Sequence, residues 1–203
     1  MIITVGRQYG SGGREIGEKL AKRLGYAFYD ENLVDMAAKK SNMSQEVLKQ
    51  VDERATRSLL YSLVTGVDVR GFNSPVVYEM PINDKLFIAQ ADIIKELAKK
   101  GDCVIVGRCA DYVLQDEDVK CVNLFVYAPM EKRIARIMRI YDLSREKAKE
   151  KIVKTEKKRK SYYNYYTNNE WGRMENYNLC IDTGAVGVDN AVDVVCAFVE
   201  KNR

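Results

Sequence analysis

Histidine is absent from the 203 residues. That excludes Ser-His and Cys-His nucleophile pairs, histidine general bases and histidine metal sites. Chemistry must run on Asp, Glu, Lys, Arg, Ser, Tyr, Cys and backbone amides. Phosphoryl transfer suits that set, because it rests on positioning and charge stabilisation. Proline is scarce, at three residues. No stretch approaches the ~20 apolar residues that a membrane span needs. The cysteines, Cys103, Cys109, Cys121, Cys180 and Cys196, are odd in number and scattered. No C-x-x-C spacing occurs, which argues against a disulfide scaffold and a zinc site. A reducing, cytoplasmic setting is expected. The opening MIITVGRQ lacks the basic segment and long apolar core of a signal peptide, so none is expected.

What is present describes an ordinary globule, 46% hydrophobic and 31% charged. The length suits one domain over 1–203 with a small inserted lobe. The net charge is +4 but uneven: residues 131–160 hold 13 Lys+Arg against 5 Asp+Glu, a local +8, so the rest sums to −4. A cationic segment on a slightly acidic body points to a local anionic partner and not to nucleic acid.

Apolar runs and helical periodicities alternate along the chain. Strands are expected at 2–5 (IITV), 26–30 (YAFYD), 103–107 (CVIVG), 121–128 (CVNLFVYA) and 177–184 (YNLCIDTG). Helices are expected over about 14–24, closed by Gly25, and 85–100, closed by Gly101. A third follows Pro129 to about 140, one or two occupy 144–166, and the last spans 188–201. Residues 31–65 carry helical patterns and 66–84 read as irregular. On the 129–140 helix, Ile134, Ile137, Met138 and Tyr141 form the expected buried stripe, with Lys132, Arg133, Arg136 and Arg139 on the other side. The alternation argues for an α/β fold: a three-layer, five-stranded parallel sheet with helices on both faces. Ligands then bind beyond the carboxyl ends of the strands.

The first of those ends reads GRQYGSGGRE, residues 6–15. A strand, a glycine-rich turn and a helix place several backbone N–H groups at a positive helix end, which binds phosphate. Gly10, Gly12 and Gly13 permit backbone angles and close approaches closed to other residues. The standard motif is G-x-x-x-x-G-K-S/T. With Gly12 as its second glycine, Gly13 stands at the lysine and Arg14 at the hydroxyl. Arg14 is the substitute cation, Arg7 a second candidate, and Ser11 the nearest hydroxyl for a metal. A ligand-free turn is the alternative.

The sequence resembles the cytidylate-kinase-like family, a nucleoside-monophosphate-kinase branch of the P-loop NTPases. The likeness is carried by ITVGRQYGSGGREIGEKLAKRLGYAFYD, VIVGRCADYVL, NLFVYAPMEKRIARI and SYYNYYTNNEWGRMENYNLCIDTG. It implies an acceptor-binding lobe at about 31–84, a mobile lid at about 139–172, and ATP with Mg²⁺. Gly10, Ser11, Gly12, Gly13 and Arg14 would hold the donor phosphates. Gly107 and Arg108 match the Gly-Arg of the family's Gly-Arg-Asp, where Cys109 replaces the Asp, a departure that bears on cytosine recognition. Arg133, Arg136 and Arg139 match the arginine-bearing helix, and Lys157 and Arg159 fall in the lid. Arg14, Arg133, Arg136 and Arg159 are thus the candidate catalytic residues, with Arg108 facing the acceptor; Asp30, ending a strand on the ligand rim, is a candidate for metal or acceptor contact, with a capping or loop role as the alternative. Arg108 as a structural arginine and the basic helix face as solvated charge stay open. The tyrosine-rich 161–171 segment is read as core packing, a homodimer contact or a nucleotide contact.

Three functions follow: a kinase moving the ATP γ-phosphoryl to a nucleoside monophosphate such as CMP or dCMP; a nucleotide-binding regulatory module without catalysis; or a kinase for another small acceptor. No nucleic-acid or membrane partner is expected.

Overall fold

The structure, a computed structural model, describes residues 1–41 and 82–202. Strand β1 (Ile2–Arg7) leads through the glycine loop to helix α1 (Gly13–Leu24), β2 (Ala27–Tyr29) and α2 (Asn32–Ser41). After the segment 42–81 come α3 (Ile82–Lys100), β3 (Cys103–Val106), the short α4 (Ala110–Val113) and β4 (Cys121–Tyr127). Then α5 (Met130–Tyr141), α6 (Arg145–Thr167), β5 (Leu179–Asp182), the short α7 (Thr183–Val186) and α8 (Val188–Lys201) complete the order.

The five strands pair in parallel in the order β2-β3-β1-β4-β5. Side chains alternate across each strand. Ile3, Val5, Val104, Val106, Val122, Leu124 and Val126 face α1 and α8 in one core; Ile2, Cys103 and Ile105 face α2, α3 and α4 in the other. Helices therefore cover both faces, as the alternating pattern predicts. Even the buried Thr4 fits, giving its hydroxyl to Asn123 Oδ1 at 2.7 Å across the β1–β4 pair.

Several boundaries differ from expectation. Helix α3 begins at Ile82 and not at 85. Strand β5 stops at Asp182, because that carboxylate accepts the Gly184 amide at 2.8 Å and caps α7. Residues 144–166 form one helix, α6, capped by Ser144. Tyr141 is not buried but 47% exposed, with the Lys151 ammonium 3.7 Å over its ring. Of the expected lobe at 31–84, α2 joins the core on one face of the sheet through Leu33, Val34 and Ala37. The periodicities at 47–63 and most of the irregular stretch lie outside the described residues.

Helix α6 explains how a nearly all-polar sequence stays ordered over the strand ends. Ala148 and Ile152 bury against Ile134 and Ile137 of α5. Further along the same face, at spacings of three or four, come Glu156, Arg159, Tyr163 and Thr167. The first anchor is apolar and the ones on this face after it make polar contacts, while Tyr162 and Tyr166 pack on Phe87.

Gln90 of α3 is 1% exposed, and neither amide atom has a hydrogen-bond partner among the described residues. A buried polar group without a partner costs about 1–3 kcal/mol. Gln90→Met is expected to raise stability by about that amount, read as a higher urea midpoint at constant slope. An unchanged or lower midpoint would show that the amide is satisfied.

Candidate functional site

The loop between β1 and α1 is held by its own backbone. The Ser11 amide bonds the Gln8 carbonyl at 3.3 Å, and Gln8 N–H bonds the Val126 carbonyl at 2.9 Å. Gly10 and Gly12 take φ of 83° and 86°, where other residues are strained. Close packing reinforces the choice. A Cβ on Gly12 would lie 2.9 Å from Val188 Cγ2, and one on Gly10 3.1 Å from the Arg133 carbonyl oxygen. Beyond the turn, Ile16 is the first amide of α1 to find a carbonyl, that of Gly12. The amides of Gly12, Gly13, Arg14 and Glu15 donate no hydrogen bond within the described residues, which leaves the positive helix end open to an anion.

Gly13 stands where the motif has lysine. A Cβ there would sit 2.5 Å from Arg7 Cβ, so Arg7 fills the space a side chain at 13 needs. The Arg7 guanidinium in turn packs against Gly107, whose missing Cβ makes room for it. Arg7 also lies 3.8 Å from Asp30 Oδ1.

Asp30, buried at the end of β2, takes a second cation: Arg14 Nε donates to its Oδ2 at 2.6 Å. That hydrogen bond raises the Arg14 pKa further. Arg14 is otherwise 60% exposed. Arg136 approaches Gly12 and pairs with Glu15, whose carboxyl is held below its ordinary value by Lys19 first and Arg136 second. Arg133 is different. It is 5% exposed, gives Nε–H to the Ala128 carbonyl at 2.9 Å and pairs with Glu156 at 2.6 Å. The expected basic face is corrected here: residue 133 lies one turn from Ile137, on the buried side of α5. Glu156 also accepts the Tyr9 amide at 3.3 Å. Arg159 bonds the Arg7 carbonyl at 3.2 Å and lies 5.4 Å from the centre of the Tyr9 ring. These contacts latch α6 over the loop.

Ser11 is buried, its hydroxyl within 3.0 Å of the Gln8 and Val126 carbonyls, so it faces the loop interior and not the cleft. Thr183 gives its hydroxyl to the Ser11 carbonyl at 2.7 Å.

Three cavities adjoin. A cleft of about 510 Å³ runs along Gly10, Gly12, Gly13, Arg14, Asp30 and Arg136. One of about 470 Å³ lies across the loop, between α5 (Lys132, Arg139) and residues 183–188. A third, of about 60 Å³, is lined by Tyr162, Tyr163, Trp171, Tyr177 and Asp111. Arg7, Arg108 and Arg159 line both the first cleft and the third cavity.

The segment entering the third cavity is strained. Gly107, Arg108 and Cys109 are consecutive left-handed residues, with φ of 76°, 59° and 53°. The two non-glycine members cost about 1–2 kcal/mol each. Burial pushes the Cys109 thiol up, so it stays protonated and is no nucleophile. Burial also raises the Asp111 carboxyl, against the opposing hydrogen bond from the Tyr163 hydroxyl at 2.6 Å.

A family model described as the cytidylate kinase-like family matches residues 2–185. The chain belongs to the cytidylate kinase-like family. It is 24% identical over 202 residues to a protein named cytidylate kinase from Methanocaldococcus jannaschii, covering 99% of this chain and 98% of that one. A solved structure of an uncharacterized protein from Eubacterium ventriosum matches with TM-score 0.73 and 26% identity over 98% of each chain. A shikimate kinase from Bacteroides thetaiotaomicron matches with TM-score 0.52 and 12% identity over 98% of each chain, a likeness of fold. The family and the fold make this a protein of the nucleotide-kinase type. No described helix is long and apolar enough to cross a membrane.

The structure gathers Gly10, Gly12, Gly13, Arg14, Asp30, Arg108, Arg136 and Arg159 around one cleft, while Arg133 and Ser11 turn inward. The tyrosine-rich segment packs within the chain: Tyr166 stacks on Phe87 at 4.1 Å and donates to Asp84, and Trp171 meets Phe125 edge-on. Sequence reasoning missed Asp111 and understated Arg7. Neither stands at a motif position, and their roles come from strand ends that meet only in the fold.

Overpacking typically costs about 1–3 kcal/mol. Gly13→Ala is expected to lose that much stability, and the loss should shrink below about 0.5 kcal/mol in an Arg7→Gly background, the interaction a double-mutant cycle isolates. Equal losses in both backgrounds would remove Arg7 as the cause. Arg133→Ala strands the Glu156 charge and should cost about 3–5 kcal/mol in denaturant unfolding. A near-neutral result would return Arg133 to the ligand side.

Proposed function

We propose that the protein transfers the γ-phosphoryl group of ATP to a nucleoside monophosphate of the CMP or dCMP type. The carrying observation is that Arg7, Arg108 and Arg159 line both the cleft at the open amides and the aromatic cavity beyond it. Two anionic groups approaching from those sides would meet at these arginines. The curated relative named cytidylate kinase supports the acceptor class.

The residues fit a triphosphate. The cradle at Gly10, Gly12 and Gly13 is one that any Cβ would fill, and four amides at the helix end point at the phosphates it would hold. The cavity between α5 and residues 183–188 opens from the same loop and takes the rest of the donor. Mg²⁺, when bound with the nucleotide, neutralises phosphate charge. Ser11, as placed, keeps its hydroxyl on backbone carbonyls and is not the group that holds it.

An oxygen of the acceptor phosphate attacks the γ-phosphorus, and the bond to the β–γ bridging oxygen breaks, leaving ADP and a nucleoside diphosphate. No general base is needed, since the acceptor is already an anion. Arg159, with the α6 lid over the loop, and Arg136, beside Gly12, supply fixed positive charge where the motif's lysine is missing. Asp30 keeps Arg14 and Arg7 in place from the acceptor side.

A specific observation favours a second reading. Arg14 is tied to Asp30, Arg133 to Glu156 and Arg136 to Glu15, so three of the four expected catalytic cations are engaged with carboxylates. A nucleotide-binding regulatory module would show that pattern.

ADP release measured across nucleoside and deoxynucleoside monophosphates separates the readings. Turnover with CMP or dCMP is expected. ATP binding without ADP release on any acceptor would establish the module, and release only with a non-nucleotide would establish another kinase. Arg108→Ala should raise the acceptor KM about tenfold or more, as loss of a charged hydrogen bond does, with little change in the KM for ATP. The reverse split would move Arg108 to the donor.

A further inference from the structure

The glycine loop is held by its carbonyl groups. The Arg7 carbonyl takes Arg159, that of Gln8 takes the Ser11 amide and hydroxyl, and that of Tyr9 takes Arg133 at 3.4 Å. The Ser11 carbonyl is held from 172 residues away. Thr183, just past the end of β5, reaches across the end of β4 and donates its hydroxyl to it at 2.7 Å. The same oxygen lies 3.1 Å from the Tyr127 carbonyl of β4. A hydroxyl has one proton to give, and the shorter contact takes it. The segment that carries Thr183 is itself fixed. The Asp182 carboxylate caps it, and a Cβ on Gly184 would lie 2.4 Å from Pro129 Cδ.

This contact decides where an amide points. A trans peptide is planar, and its C=O and N–H point in opposite directions. A donor that grips the Ser11 carbonyl therefore sets the direction of the Gly12 N–H. Helix α1 does not do this. Its first bond runs from the Ile16 amide to the Gly12 carbonyl and so fixes the next peptide, between Gly12 and Gly13. Gly12 is left-handed, at φ 86° and ψ 4°, and Gly13 begins the right-handed helix. That succession turns consecutive N–H groups toward one concavity, which receives an anion. The Gly12 amide lies one residue ahead of the helix, and closing the concavity requires that it be turned inward.

We propose that Thr183 is a positioning residue for the donor phosphates: it holds the Ser11 carbonyl away from the cleft and so turns the Gly12 amide toward the anion. The inference rests on reading the loop as the donor site. Thr183 itself touches no phosphate in this role. Ser11 cannot take its place, because the Ser11 hydroxyl is occupied by the Gln8 and Val126 carbonyls. A peptide plane fixed in advance needs no ordering when the ligand arrives, and that saving appears as affinity.

The test is calorimetric titration of the intact protein with ADP, together with the ADP-induced shift of the Gly12 amide in ¹⁵N-glycine-labelled protein. In the unmodified protein, ADP is expected to move the Gly12 resonance. Thr183→Val keeps the side-chain shape and removes the hydrogen bond. It should weaken ADP binding about fivefold or more, within the scale of one hydrogen bond to a charged group. It should also displace the Gly12 resonance before any ligand is added. Thr183→Ser restores the hydroxyl and should return both readouts, the affinity to within about twofold. A role confined to the wall of the cavity between α5 and residues 183–188 would leave the unliganded Gly12 amide where it was. Should Thr183→Val not fold, Thr183→Ala is read in its place. A smaller loss of affinity, an unmoved Gly12 resonance in the variant, no rescue by serine, or no response of Gly12 to ADP in the unmodified protein overturns the proposal. Thr183-dependent ADP binding without transfer to any monophosphate would sink the kinase reading and keep this one. Transfer with an ADP affinity that Thr183→Val leaves unchanged would do the opposite.

Discussion

Arg7 leaves strand β1 between two glycines, and its position decides what the following loop can be. Its Cβ occupies the room a side chain at residue 13 would take, and its guanidinium occupies the room of one at 107. The absent lysine is therefore no simple loss. A lysine at 13 would have to displace the first residue of the loop, and with it the carbonyl that Arg159 holds and the ion pair with Asp30. Arg7 brings a positive charge to this corner from the strand end, in addition to Arg14 in the first turn of α1. An arginine there is always protonated and carries a planar fork that suits phosphate. Gly13 and Gly107 follow from that choice as space for Arg7, while Gly10 and Gly12 serve the turn itself.

Crowding so many cations around an open helix end requires countercharge, and the fold supplies it from behind. Asp30 holds Arg14 and Arg7, Glu15 holds Arg136, and Glu156 holds Arg133. Each carboxylate comes from an element other than its arginine's, so each pair also joins two pieces of the site. Glu156 does most in this respect: one carboxylate ties α6 to α5 through Arg133 and to the loop through the Tyr9 amide. Helix α6 has Ala148 and Ile152 in an apolar cluster, polar contacts through Glu156 and Arg159 in its middle, and Tyr162 and Tyr166 against Phe87 of α3 in its last turns. An element attached by ion pairs and hydrogen bonds to charged neighbours can be released when a phosphate competes for those neighbours.

Most of the sheet was legible because buried parallel strands read as short apolar runs and their helices as amphipathic stripes. IITV, CVIV and the 188–201 pattern map directly onto β1, β3 and α8. The rim of strand ends was legible for the same reason, since they lie on one side of a parallel sheet. Side-chain direction was not. Arg133 and Arg136 look alike in sequence, three residues apart on a basic helix, yet one is buried on Glu156 and the other faces Gly12. The difference lies in the partner, residue 156 of a helix whose own face cannot be read from its composition. Ser11 misleads in the same way: its hydroxyl is drawn to the Val126 carbonyl, which belongs to a strand 115 residues away.

The left-handed run at 107–109 ties these parts together. Strand β3 lies beside β1, so a regular continuation would carry the chain straight out past Arg7. Three positive φ angles turn it instead. Gly107 goes under the guanidinium, Arg108 comes to the cleft, and α4 starts with Asp111 aimed at Tyr163. Arg108 and Cys109 hold conformations that β-region or helical backbone would not cost them. Packing must maintain them: Cys109 and Ala110 are buried, and the Ala110 amide closes onto the Gly107 carbonyl at 3.1 Å. A relaxed turn would keep the sheet and lose the gathering of Arg7, Arg108 and Asp111 around one cavity. Asp142 and Asn168 also take positive φ, but each closes a helix; the pair at 108–109 sits at a strand end, between the cleft and the aromatic cavity.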